Sequence, residues 1–316
     1  MREESELEIP FYERLLEACK RVDHPLKTAI VHPVEKNSLE GAVAAATEGI
    51  IEPVLVGPKD RILNAAEEAS LDISEFELVA TKHSHEAAET AVCMASKGEV
   101  EALMKGHIHT DELLSFVVSK DSGLRTARRI SHVFCIDIPR DIYPKPLWLS
   151  DAAINIKPSL EDKKDIIQNA IDLFRACGFG TPKVAILSAT EKITHKIPST
   201  VEAAALCKMA DRDWITGGIL DGPLAFDNAI SKEAAEIKQI KSQVAGDVDI
   251  LIVPDIESGN MLYKQMKYLS GYNAAGIVMG AHVPLMLTSR VGGVKARLAS
   301  AALALLYMNG KESQGI

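Results

Sequence analysis

The sequence predicts an α/β fold: two α/β domains with largely parallel sheets and an interdomain cleft. Three observations predict it. Strand-like and helix-like patterns alternate along almost the whole chain, as in repeated βαβ units. Apolar runs break off into short polar loops containing glycine, as in "ILIVPDIESGN" (250–260) and "GIVMGAHVP" (276–284), and open α/β sheets hold ligands in such loops at strand ends. The chain has 316 residues, enough for two ordinary domains.

The elements follow in order. "TAIVHP" (28–33) reads as a strand, followed by a helix from Ser38 to Glu48 with Leu39, Val43 and Ala46 on one face. "PVLVG" (53–57) is the next strand, then a helix near 59–69, then "FELVAT" (76–81). Residues 85–97 have helical spacing, "ALMKG" (102–106) is a strand that breaks at Gly106, and "SHVFCIDIP" (131–139) closes this half. The three prolines of "PRDIYPKPLWLS" (139–150) mark a crossover. Beyond it come a strand with a polar end, "WLSDAAIN" (148–155), a helix at 161–176 stopped by Gly178, and the strand "KVAILS" (183–188). Ser199 and Glu202 read as a capping box ahead of "VEAAALCKMA". Strands are expected at "WITGGILDGP" (214–223), "VDILIVP" (248–254) and "AAGIVMG" (274–280), and a long helix from Val294 to Met308.

Composition narrows the function. The chain is 47% hydrophobic and 25% charged with a net charge of −9, a globular composition. Its densest basic run is "RTARR" (125–129), too little for a nucleic-acid backbone, although two or three placed cations suffice for a small anion. Of five scattered cysteines with no CxxC pair, four sit in helix or strand patterns as ordinary buried thiols do, which argues against metal or disulfide. The acidic, amphipathic N-terminus is unlike a signal peptide, no apolar run has the length of a membrane span, and a cytoplasmic location is expected.

Several strand ends carry chemistry. In "LMKGHIHTDE" (103–112), Lys105 suits an anion, Gly106 admits a ligand to the backbone, and His107 and His109 lack the third ligand a metal would need. In "MLTSRVGG" (286–293), Arg290 offers a planar fork that suits phosphate, although spacing alone reads first as a helix cap at Ser289 with a surface arginine beside it. Gly259 and Asn260 open a helix after Asp255, as an anion or amide site would. Asp221 and Asp227 flank a turn, and His195 and His282 are loop histidines.

Taken in order, "MKGHIHTDELL", "GLRTARRISHVF", "LSDAAINIKPSLEDK", "DGPLAFDNAIS", "VAGDVDILIVPDIESGNMLYKQMKYLSGYNAAG" and "PLMLTSR" resemble the phosphate acetyltransferase and phosphate butyryltransferase family over roughly residues 28–305, with wording nearer the butyryl branch. The resemblance implies reversible transfer of a short acyl group between CoA and inorganic phosphate, giving acyl phosphate. It implies a fold like that of the isocitrate and isopropylmalate dehydrogenases, no bound cofactor or metal, CoA as substrate, and a homodimer or higher homo-oligomer. Residues 1–145 plus 288–316 would form the first domain, with the C-terminal helix returning to it. Residues 146–287 would form the second, which would carry dimerisation. Ser289 and Arg290 match the family's loop serine and arginine, and Arg125 matches a first-domain arginine. Lys105, Gly106, His107, Arg125, Asp255, Gly259, Asn260 and Lys295 would bind phosphate, acyl phosphate or CoA.

One position departs from the pattern. The acetyl branch has an aspartate seven residues after the serine to deprotonate the CoA thiol, and here that residue is Ala296. Residues 289–300 hold no acid, only Arg290, Lys295 and Arg297. Either cations favour the thiolate, or Asp255 or Glu257 acts as base. Two other readings are a non-catalytic acyl-CoA sensor or scaffold and a metal- and NAD-dependent hydroxy-acid dehydrogenase.

Overall fold

The computed structural model describes residues 11–287 and 293–314, the last three by backbone alone. Its elements in chain order are α1 (Phe11–Cys19), β1 (Leu26–Val31), α2 (Lys36–Thr47), β2 (Ile51–Gly57), α3 (Lys59–Glu68), β3 (Glu77–Ala80), α4 (Ser84–Ser96), β4 (Ala102–Lys105) and α5 (Thr110–Val117). They continue with β5 (Ser131–Asp137), β6 (Leu147–Ser150), α6 (Leu160–Ala176), β7 (Lys183–Leu187), α7 (Pro198–Ala210), β8 (Ile219–Leu224), α8 (Phe226–Ile230) and α9 (Lys232–Ile237). The last are β9 (Ile250–Ile252), α10 (Ile256–Lys264), β10 (Asn273–Met279), β11 (Leu285–Met286) and α11 (Val294–Gln314). This is a mixed α/β fold with mostly parallel strand pairing.

The chain divides into two compact units, cut after Arg128, after Ala274 and after Asn309. Strands β10 and β11 pair towards β4, while β5 belongs with β6.

In the first unit the strands run β3-β2-β1-β4-β11-β10. All pair in parallel except β10 with β11. The chain steps outward from β1 to β2 to β3 and then returns to the other side of β1 as β4, so the topological switch lies between β1 and β4. Both strands are near-continuous apolar runs, with Ala29, Ile30, Val31, Leu103 and Met104 fully buried, as strands covered on both faces are. Helix α11 is apolar nearly all round and buried from Arg297 to Tyr307, which is the pattern of an interior helix.

In the second unit the order is β5-β6-β9-β7-β8, with only β5 and β6 antiparallel. Leu147, Leu149, Leu251 and Val253 belong to its core, and the fully buried Trp148 meets Phe174 and Phe179 edge-on.

Four local expectations change. The proline-rich stretch 139–150 connects the antiparallel pair β5 and β6 within one unit, so it is not a crossover. The strand expected at 148–155 ends at Ser150, because the buried Asp151 carboxylate accepts the backbone N–H groups of Ala153, Ile154 and Asn155 and turns the chain. The strand expected from 214 starts at Ile219, after Gly217 takes the left-handed region at φ +81°. Helix α7 starts at Pro198 with no side-chain cap, so Ser199 and Glu202 form no capping box. Pro at the first helical position sets the start, Ser199 instead meets Ser188 hydroxyl to hydroxyl at 2.8 Å, and Glu202 pairs with Lys163. No helix among the described residues is long and apolar enough to cross a membrane.

Candidate active site

The ends of β1 and β4 meet at the switch of the first unit, and their pairing continues past both strands. Gly106 N–H donates to the Val31 carbonyl and His107 N–H to the His32 carbonyl, each at 2.9 Å. A Cβ on Gly106 would stand 2.6 Å from the Val31 oxygen and 2.7 Å from the His32 oxygen. The missing side chain therefore admits the neighbouring backbone, where the sequence reading had it admit a ligand.

Side chains gather on this frame. His32 holds the left-handed region at φ 57°, and its Nδ1 lies 2.9 Å from the His107 carbonyl. His107 Nδ1 lies 2.8 Å from Glu35 Oε2. Lys105 is buried, with its ammonium turned along its own loop to donate to the carbonyls of Ile108 at 3.0 Å and Gly106 at 3.4 Å. From α11, Arg297 reaches in fully buried and donates from Nη1 to the Lys105 carbonyl at 3.0 Å. Glycine at 41 on α2 makes room for it, since a Cβ there would come 2.3 Å from Arg297 Cδ.

The cluster is left with unmet polar capacity. Among the described residues, Glu35 Oε1, His32 Nε2, and Arg297 Nε and Nη2 are buried without a hydrogen-bond partner. Such groups cost about 1–3 kcal/mol each unless something binds them. Burial pushes the His32 imidazole below its ordinary value, against the pull of its bond to the His107 carbonyl. Burial also lowers the Arg297 guanidinium, and Glu35 opposes that shift.

Strand β11 pairs with β4 in parallel, Met286 opposite Met104, so the chain leaves β11 at the edge that carries Lys105 to His107. Ser289 and Arg290 follow β11 and lie outside the described residues. Lys295 is exposed in the first turn of α11. Arg125 is also exposed and bridges Ala281 in the connection entering β11, while Thr126 donates to the Gly280 carbonyl at 2.6 Å. The geometry thus groups Lys105, Gly106 and His107, and sets Arg125 at the start of β11, away from its end.

In the second unit, Asp255 caps α10, accepting from Ser258 N–H at 2.9 Å and from its hydroxyl at 2.8 Å. Burial alone would raise this carboxyl, but the Ser258 bonds and Lys163 outweigh it and hold the group below its ordinary value. Gly259 is buried, and a Cβ there would come 2.6 Å from Val253 Cγ2 and 3.1 Å from Ala152. Asn260 donates to the Ala152 carbonyl at 3.0 Å. Gly259 and Asn260 thus tie the start of α10 to the loop after β6. Among the described residues no group of three or more His, Cys, Asp or Glu is arranged to hold a metal.

Sequence reasoning missed His32, Glu35 and the burial of Arg297. The signal was "HPVEKNS" (32–38) directly after the first strand, a polar strand end like "KGHIHT", which gains meaning only once β1 is known to lie beside β4.

Residues 80–305 match the family described as phosphate acetyl/butaryl transferase, and the chain belongs to that family. It is 55% identical over 94% of its length to "Phosphate acetyltransferase" of Rhizobium meliloti, 93% of which is covered. It is 38% identical over 90% of its length to "Phosphate butyryltransferase" of Clostridium acetobutylicum, 94% of which is covered. A crystal structure of a branched-chain phosphotransacylase from Enterococcus faecalis is similar at TM-score 0.77 and 27% identity, covering 89% of this chain and 99% of that one. The butyryl leaning of the motif wording has no counterpart in overall identity, which is higher to the acetyl-named relative.

Proposed function

We propose that the chain catalyses reversible transfer of a short acyl group, acetyl to butyryl, between CoA and inorganic phosphate, with acetyl preferred. The 55% identity to the acetyl-named relative carries this reading. Thioester chemistry builds negative charge on oxygen, and preplaced donors lower that barrier, so Ser289 and Arg290 are assigned to the reacting centre by their match to the family's loop. Lys105, Gly106, His107, Arg125 and Lys295 are assigned to phosphate, acyl phosphate or CoA. The unmet donors of Arg297 support an anion at this strand end. Asp255, Gly259 and Asn260 are assigned to the loop that holds CoA, their capping and packing keeping it in shape. The sensor and dehydrogenase readings are not favoured by the relatives' names. A fold kinship with isocitrate dehydrogenases, a homodimer built through the second unit, no bound cofactor and a cytoplasmic location belong to the same proposal.

The test is CoA release from acetyl-, propionyl- and butyryl-CoA with and without phosphate, in the absence of metal and NAD. Release that needs phosphate and is fastest with acetyl-CoA is expected. No phosphate-dependent release from any of the three refutes the reading.

A further inference from the structure

We propose that His107, held by Glu35, is the general base that deprotonates the CoA thiol, in place of the aspartate this chain lacks at 296. The inference rests on the acyl-transfer reading. A base is needed somewhere, because a thiol of ordinary pKa near 8.5 is mostly protonated at neutral pH, and residues 289–300 contain no carboxylate.

The geometry at the switch supplies one. Glu35 Oε2 sits 2.8 Å from His107 Nδ1. A carboxylate there fixes the proton on Nδ1 and directs the lone pair to Nε2, and it stabilises the imidazolium that forms when Nε2 takes a proton. Among the described residues His107 Nε2 has no partner, and the side chain is 39% exposed, so a substrate can reach it. The backbone is fixed on both sides, by His107 N–H on the His32 carbonyl and by the His107 carbonyl against His32 Nδ1. The ring therefore holds its position without a ligand. His109, two residues on, is a helix N-cap with no side-chain bond. The contrast singles out His107 among the strand-end histidines.

The charged and titratable groups around the dyad are His32 at the end of β1, Lys105 on β4 and Arg297 on α11. Arg61 on α3 and Glu112 on α5 act on His32. Cations dominate this set, which suits a site where a thiolate and a phosphate must coexist.

The step balances. The CoA S–H proton passes to His107 Nε2, and the thiolate sulfur attacks the acyl-phosphate carbonyl carbon. As the C–S bond forms, the C–O bond to phosphate breaks, and the imidazolium proton leaves with the phosphate oxygen. In reverse, neutral His107 takes a proton from the attacking phosphate and returns it to the departing sulfur. His107 is a catalytic residue in this scheme and Glu35 a positioning residue acting through it.

The experiment measures kcat and KM against pH, in the direction from acyl phosphate and CoA to acyl-CoA, for wild type, His107→Gln, His107→Ala, Glu35→Gln and Glu35→Asp, with thermal melts as a check on folding. Loss of a general base lowers kcat by about 100- to 10,000-fold. His107→Gln is expected to show that loss, with the acid limb replaced by a rate that climbs steadily with pH. Added imidazole is expected to restore part of the rate of His107→Ala. Glu35→Gln is expected to lower kcat by up to about 10,000-fold, as loss of the carboxylate that orients a base histidine does, with Glu35→Asp recovering most of it. A folded His107→Gln that keeps the wild-type pH profile, or only raises the KM for acyl phosphate, overturns the base assignment while the acyl-transfer reading stands. A wild type without phosphate-dependent turnover overturns both.

Discussion

Replacing Gly106 by alanine tests the frame on which the site stands. The added methyl would lie 2.6 Å from the Val31 oxygen, 2.7 Å from the His32 oxygen and 2.9 Å from the His32 carbonyl carbon. These are backbone atoms, so no rotamer change relieves the clash, and the ends of β1 and β4 must separate. Overpacking against atoms that cannot yield costs about 1–3 kcal/mol. Separation also strains the two bonds from Gly106 N–H and His107 N–H, each worth about 1 kcal/mol. The lower entropy of the unfolded alanine chain offsets about 0.4–1 kcal/mol. The net loss is about 2–4 kcal/mol, or roughly 3–6 °C in melting temperature for a chain of this size. Thermal melts followed by circular dichroism measure it, with Gly293→Ala as control, because a Cβ at 293 meets nothing within 4 Å. Activity should fall further than stability, since His107 moves with the strand end. A Gly106→Ala protein that melts within about 1 °C of wild type would show that the close approach of β1 and β4 is not what glycine serves, against the packing cost argued above.

The other predictions concern groups around and away from the site. Gly41→Ala should cost about 1–3 kcal/mol and reduce activity, because its Cβ would sit 2.3 Å from Arg297 Cδ and push the guanidinium off the Lys105 carbonyl; urea titration and turnover check it. Asp255→Asn should keep stability within a few tenths of a kcal/mol and Asp255→Ala lose about 1 kcal/mol, as N-cap changes do; an Asn variant that folds normally but loses its turnover would return Asp255 to the list of bases. Burial pushes the His132 imidazole down to about 3, so the folded state keeps it neutral while the unfolded chain takes up a proton below about pH 6.5. Its contribution is therefore fully present above pH 6.5 and is lost as pH falls towards 3, and urea midpoints at pH 5 and 7.5 should show wild type losing about 2 kcal/mol more than His132→Phe.

How much of this was legible in the sequence depends on how local each cause is. Period and punctuation placed most strands and helices to within a few residues, because apolar alternation and glycine breaks act over a few residues. Lys105, Gly106 and His107 were legible as one polar strand end for the same reason. Glu35 and His32 stood just as plainly after β1, yet nothing local says that β1 lies beside β4. That adjacency comes from strand order, and with it the Glu35–His107 pair, 72 residues apart in sequence. Arg297 read as one of three cations near the loop, whereas its burial depends on a glycine at 41 in a different helix. The capping box at Ser199 failed because Pro198 starts the helix one residue earlier. Asp255 read as a base or a substrate ligand, whereas its bonds to Ser258 make it the cap of α10.

The whole chain carries a net charge of −9, which on its own repels phosphate and CoA. The strand-end cluster works against that field. Two cationic side chains, Lys105 and Arg297, stand buried at this strand end, and Glu35 opposes the burial shift of Arg297. Charges taken out of water are screened little by salt and act strongly on a nearby ligand. Glu35 is already committed to His107 through Oε2, so it offsets an imidazolium more than it offsets Arg297. When His107 takes a proton, the site gains a positive charge at the moment a thiolate or a leaving phosphate needs one. The buried donors of Arg297 that lack partners among the described residues then have a physical reason to meet no carboxylate among those residues. A carboxylate filling them would cancel the field that the anions require, and leaving the donors open costs stability in a place where a ligand returns it on binding.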